Sequence, residues 1–243
     1  MPQIVDLTCP FDREYTVPQY LHHAWRLEFK HLFTFPRDGQ RVTEFTMSTH
    51  TGTHVDAPSH VLENGKTLDA FSLSAFYGTG VVLGFPRGEL GKITAADLQK
   101  YSNDICEGDI VMLCTGWGKY FVEDPKDTYF IAAKQPGLTE DGAQWLADRK
   151  IKAVGIDVFS IRHPGDNSEV DMEGIRPGTY TERIPIRGKI ERVHEILMTN
   201  DILIIEQLTN LESIAGKRAT FSLFPLPFVG MDGAPVRAIA ILD

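Results

Sequence analysis

Cysteine is scarce in this chain, with three among 243 residues. Cys9, Cys106 and Cys114 cannot all pair with one another, and no two form a close Cys-x-x-Cys. Neither a disulfide framework nor a thiolate zinc site is therefore expected. Long apolar runs are missing as well. Stretches such as Ile202-Leu203-Ile204-Ile205 are far too short to span a bilayer. The start, Met1-Pro2-Gln3-Ile4-Val5-Asp6, has neither a basic n-region nor an apolar h-region, so no signal peptide is expected. Reduced cysteines and a cytoplasmic location follow as expectations, with no membrane partner. Basic surplus is also lacking: 24 Lys and Arg stand against 33 Asp and Glu, a formal charge of −9. That balance excludes nucleic acid as the main partner, because phosphate binding needs a concentrated basic surface. No internal repeat or low-complexity tract appears.

What is present is an ordinary globular composition, 42% hydrophobic and 23% charged. Its length suits one domain across residues 1–243. Buried strands are predicted at Gly80–Phe85, Asp109–Cys114, Ala153–Ile156, Ile202–Ile205 and Val236–Ile241, each dense in branched apolar residues. Helices are predicted between them. Thr94 is an N-cap for Ala95 to Tyr101, and Thr139 caps a run to Lys150. Ile190 to Met198 carries an apolar stripe of Ile190, Val193, Ile196 and Leu197. Interleaved strands and helices predict an α/β domain, a mixed sheet flanked by helices. Pro10 to Pro36 and Arg162 to Arg187 read as long irregular segments of the kind that often carry function.

The densest chemistry lies in His50-Thr51-Gly52-Thr53-His54-Val55-Asp56-Ala57-Pro58-Ser59-His60, which holds three of the eight histidines. Gly52 and the threonines disfavour a helix. A glycine-opened turn leading into a strand is expected, with His54 and Asp56 projecting to one side. Pro58 then turns the chain, bringing His60 back over the site. Imidazole and carboxylate this close suit zinc or manganese. A set of His50, His54 and Asp56 leaves coordination positions open, as catalytic sites do. Further ligands should come from elsewhere, with His194 and Glu206 as candidates. Glu206 ends an apolar strand, where a carboxylate is costly to bury unless paired or metal-bound. His22, His23, His31 and His163 read as polar loop side chains, and Asp157 as a strand-end residue capping a turn or supporting the site. No Gly-x-Ser-x-Gly elbow is present.

The run HTGTHVDAPSH resembles the signature of the metal-dependent cyclase family, whose members include bacterial kynurenine formamidases and isatin hydrolases. Asp6-Leu7-Thr8, Gly155-Ile156-Asp157 and the ending Met231 to Ala240 are similar to the family's opening, central and last strands. The resemblance implies a single swivelling β/β/α domain, commonly a homodimer or homotetramer. It implies His50, His54, Asp56, His194 and Glu206 as ligands of one or two divalent ions, Mn2+ or Zn2+, and His60 as the proton donor and acceptor. The implied activity is hydrolysis of a non-peptide C–N bond, in an aryl formamide or a cyclic amide such as isatin. A lactone or ester would suit the same site. An aromatic substrate would find a flat wall in the Tyr20 to Phe35 region, with Trp25, Phe29 and Phe33 as candidate contacts. The chain departs from the formamidase pattern in Pro10–Pro36 and between Asp157 and His194, both where substrate is selected.

Overall fold

Branched apolar residues recur in short runs along this chain, and each run becomes a strand. The computed structural model describes residues 2–11, 27–122, 128–164 and 192–242. Trp25, His22, His23 and most of the Arg162–Arg187 segment lie outside the described residues. The strands are β1 (Gln3–Asp6), β2 (Glu28–Phe33), β3 (Val42–Thr46), β4 (His54–Asp56), β5 (Tyr77–Gly84), β6 (Lys92–Ile93), β7 (Ile110–Cys114), β8 (Gly137–Leu138), β9 (Ala153–Ile156), β10 (Leu203–Glu206), β11 (Arg218–Ser222), β12 (Gly233–Pro235) and β13 (Ile239–Leu242). Helices are α1 (Phe35–Asp38), α2 (Ala95–Gln99), α3 (Thr128–Ala133), α4 (Glu140–Asp148) and α5 (Arg192–Thr199).

Among the described residues, nine strands form one mixed sheet in the order β1-β13-β11-β5-β7-β9-β10-β4-β12. Its centre, β5-β7-β9-β10, is parallel, and the strands to either side are antiparallel. The parallel strands are buried on both faces, which is why they read as continuous apolar runs rather than alternating ones. One face (Val81, Leu83, Val111, Leu113, Val154, Ile156, Ile204) packs under Leu98 of α2, Leu146 of α4 and Leu197 of α5. The other (Val82, Ile110, Met112, Ala153, Leu203, Ile205) closes on Val55, Phe221, Ala234 and Ala240 from strands farther round the curl. The expected α/β fold with a mixed sheet and flanking helices is what forms.

Two elements differ from expectation. The strand predicted over Val236–Ile241 begins only at Ile239, as β13, and a separate short strand, β12, precedes it at Gly233–Pro235. β12 pairs with β4 near one edge of the sheet, whereas β13 lies between β1 and β11 at the other. The intervening residues make the crossing, with the Val236 amide donating to Thr53 O and Ala238 O accepting from Leu7 N. Thr94 does cap α2 through a reciprocal box with Asp97. Thr139 does not cap α4 through its side chain. Its hydroxyl instead donates to the Ile93 carbonyl, tying the helix start to β6.

β2 and β3 form a ribbon of their own, paired Phe29 to Phe45 and Lys30 to Glu44. His31 sits on this ribbon rather than in a loop, 3.1 Å from Thr43 Oγ1. His163 is buried, its Nε2 donating to Leu90 O. Asp157 caps a turn, as expected of a strand-end aspartate: it accepts from Thr115 N, Thr115 Oγ1 and Gly116 N. Burial pushes its carboxyl up to about 6 against those hydrogen bonds.

Candidate metal centre

β4 is three residues long and lies between β10 and β12. Its register sets His54 opposite Glu206 and Asp56 opposite Ile204, and directly opposed residues share a face. His54, Asp56, Ile204 and Glu206 therefore point toward the helix side, while Val55 and Ile205 enter the other core. The turn before β4 holds Gly52 at φ 65°, a left-handed conformation costly for other residues. From there the Gly52 carbonyl meets His54 Nδ1 at 2.7 Å. A carbonyl only accepts, so Nδ1 carries the proton and Nε2 is turned toward the carboxylates.

His54 Nε2 lies 3.1 Å from Asp56 Oδ1 and 3.7 Å from Glu206 Oε2. His194, buried on α5, places Nε2 3.2 Å from Glu206 Oε1 and 3.9 Å from Asp56 Oδ2. Glu206 is fixed at the carboxyl end of β10 by the Ile161 amide, 2.7 Å from Oε1. The short 3-10 turn Pro58–His60 carries His60 back over the cluster. Its ring centroid is 4.0 Å from that of His50 and 5.9 Å from that of His194. All six residues singled out on β4, its flanks, α5 and β10 thus converge. Phe29 and Phe33 lie on the β2–β3 ribbon, 50% and 42% exposed.

Asp232 is the residue that sequence reasoning missed. It precedes β12, and its Oδ2 lies 2.9 Å from His50 Nε2 and 3.7 Å from His60 Nδ1. It fell within the ending Met231 to Ala240 that resembles the family's last strand, but its Asp-Gly pair reads as an ordinary turn. His50 bridges two carboxylates, with Nδ1 2.7 Å from Asp56 Oδ1. Burial works against its charge, but Asp56 and Asp232 outweigh that and raise the imidazole to about 10. Asp56 is fully buried, yet His54 and His50 beside it hold the carboxyl well below the usual range. His50 and His60 likewise lower Asp232.

These residues fit a divalent cation. Ligand atoms of His54, Asp56 and Glu206 lie within 4.8 Å of one another, as do those of His50, Asp56 and His60. Among the described residues, Asp56 Oδ2 is buried with no hydrogen-bond partner. A buried carboxylate oxygen left so is expensive unless something positive reaches it. Nitrogen and oxygen donors without thiolate suit zinc or manganese, and two trios sharing Asp56 accommodate one ion or two.

Residues 5–163 match the family model described as "Putative cyclase". The chain is 32% identical over 221 residues to Cyclase-like protein 3 of Oryza sativa subsp. japonica, covering 84% of this chain and 68% of that protein. It is 27% identical over 198 residues to a kynurenine formamidase of Bacillus thuringiensis subsp. konkukian, covering 82% and 78%. A solved structure titled as a potential metal-dependent hydrolase with cyclase activity aligns at a TM-score of 0.73 and 25% identity, covering 100% of this chain and 99% of that one. Isatin hydrolase A from Ralstonia solanacearum shares the fold, with a TM-score of 0.80 at 19% identity over 100% and 92% of the two chains.

Proposed function

The chain belongs to the cyclase family, and on that basis we propose that it is a metal-dependent hydrolase cleaving a non-peptide C–N bond, in an aryl formamide or a cyclic amide such as isatin. The observation that carries this reading is the buried meeting of His54, Asp56 and Glu206 around the unpartnered Asp56 Oδ2. His50, His54, Asp56, His194 and Glu206 would hold Mn2+ or Zn2+. Such a cation, when bound, supplies activation of water toward hydroxide and polarisation of a carbonyl. His60 is the general base and acid. With Nδ1 facing Asp232, its Nε2 takes the proton of the attacking water and returns it to the leaving nitrogen. At 31% side-chain exposure His60 sits where substrate and protein meet, whereas His54 beneath it is buried.

The same reading includes one domain over residues 1–243, a cytoplasmic location and a homodimer or homotetramer. The assembly is supported by the β2–β3 ribbon, whose Phe29, Phe33 and Phe45 lie open to solvent. A two-stranded ribbon is marginal alone and gains from a second surface. Phe29 and Phe33 would contact substrate from that ribbon. Among the described residues no helix is long and apolar enough to cross a membrane.

The test is hydrolysis of three small substrates, an aryl formamide, isatin and an aryl lactone, by chelator-stripped protein with and without added Mn2+ or Zn2+. Metal-restored release of an amine or opening of the lactam supports the reading. Turnover of the lactone alone moves it to a lactone or ester hydrolase, and no metal-dependent turnover overturns it.

A further inference from the structure

Asp232 and Gly233 lie some 180 positions beyond His50 in the chain yet form the wall against which its ring rests. The side chain is anchored, with Oδ1 accepting from Thr49 Oγ1 at 3.1 Å. The backbone is anchored too: Asp232 O accepts from Ala57 N at 2.8 Å, and Gly233 is paired with Asp56 across β12 and β4. Asp232 is therefore locked to the ligand segment on both sides of His50 and Asp56. Gly233 contributes by what it lacks. A Cβ there would fall 2.8 Å from His50 Cε1, 3.0 Å from Val55 O and 3.3 Å from His50 Nδ1.

We propose that Asp232 is a positioning residue, which with Gly233 behind it fixes the plane and tautomer of His50 and leaves Nδ1 as the ligand nitrogen beside Asp56. The inference rests on the metal-hydrolase reading of the site. A carboxylate only accepts, so without a cation both the 2.9 Å contact to Asp232 and the 2.7 Å contact to Asp56 call for a proton on the ring. A cation beside Asp56 would take the place of the proton on Nδ1 and leave Nε2–H on Asp232. Carboxylates that hold the far nitrogen of a ligating histidine orient the ring and raise its basicity. The same Oδ2 stands 3.7 Å from His60 Nδ1, so one carboxylate sits against both the ligand ring and the acid–base ring. Loss of Asp232 should accordingly weaken metal uptake and turnover together, through His50 and His60, without removing a ligand.

The experiment titrates Mn2+ or Zn2+ into metal-free wild-type, Asp232→Ala and Asp232→Asn proteins by calorimetry. Circular dichroism checks the fold, and 15N-labelled imidazole resonances report the His50 tautomer in the Zn2+-saturated state. About 10–100-fold weaker binding in Asp232→Ala is expected, with loss of the Nε2–H signature. Partial rescue should appear in Asp232→Asn, which keeps an acceptor oxygen. Gly233→Ala should weaken binding with both carboxylates intact. Wild-type uptake matched by a folded Asp232→Ala overturns this inference and leaves the hydrolase reading standing. A wild-type protein that takes up neither metal overturns both.

Discussion

His54 Nε2 and Asp56 Oδ1 face each other at 3.1 Å, while the opposite nitrogen of the same ring is committed to Gly52 O. Two groups that both accept cannot hold that approach unless something positive lies between them. A divalent cation held between them would satisfy both. Removing the nitrogen should therefore remove the ion: His54→Ala is expected to lose bound metal and turnover together, read by elemental analysis and by assay on one preparation. Full metal content in that variant would refute the ligand assignment.

His60→Ala should separate the two properties. Acid–base groups of this kind contribute roughly 10²–10⁴-fold in rate, so turnover should fall by that order while metal content stays at the wild-type level. Near wild-type turnover would mean that another group moves the proton.

Proton linkage gives a sign that can be checked in solution. His50 is raised from 6.5 to about 10 in the metal-free fold, so its stabilising contribution is complete below 6.5 and disappears as pH climbs through about 10. The denaturation midpoint of metal-free wild-type protein should fall from pH 7 to pH 10 more steeply than that of His50→Gln. Because the cation competes with that proton, metal affinity should rise with pH across the same range, and calorimetry in buffers of different ionisation enthalpy should show proton release. A pH-independent affinity would contradict the linkage.

Gly52 supplies the left-handed turn that aims its carbonyl at His54. Gly52→Ala should cost about 1–2 kcal/mol of stability, measured by chemical denaturation, and should weaken metal binding by disturbing that hydrogen bond. An unchanged stability would show that the turn is not strained for an L-residue.

Phe29→Ser together with Phe45→Ser removes the opposed aromatic pair on the exposed face of the β2–β3 ribbon. If the ribbon meets a second copy, sedimentation should shift toward the monomer with secondary structure retained. An unchanged sedimentation coefficient would place the subunit contact elsewhere.

Legibility followed distance along the chain. His50, His54, Asp56 and His60 could be read directly, because a turn, a three-residue strand and a proline-started turn bring them together locally. His194 and Glu206 were candidates on weaker grounds, Glu206 as a carboxylate ending an apolar strand, and family resemblance strengthened them, since only the β10–β4 register and the packing of α5 join them to His54. Asp232 was hidden because an Asp-Gly pair has the same appearance in any surface turn. Its role arises from the pairing of β12 with β4. The same crossing shortened the strand expected over Val236–Ile241: local propensity sees one apolar run, but not that Val236 to Ala238 carry the chain from β12 at one margin of the sheet to β13 near the other.

The placement of β12 beside β4 also sets an order of events during synthesis. The ring of His50 emerges from the ribosome long before its counterpart 182 residues later, so a growing polypeptide passes most of its elongation with that ring unsupported. On the proposed role of Asp232, the cradle for an ion is complete only once the closing strands have docked.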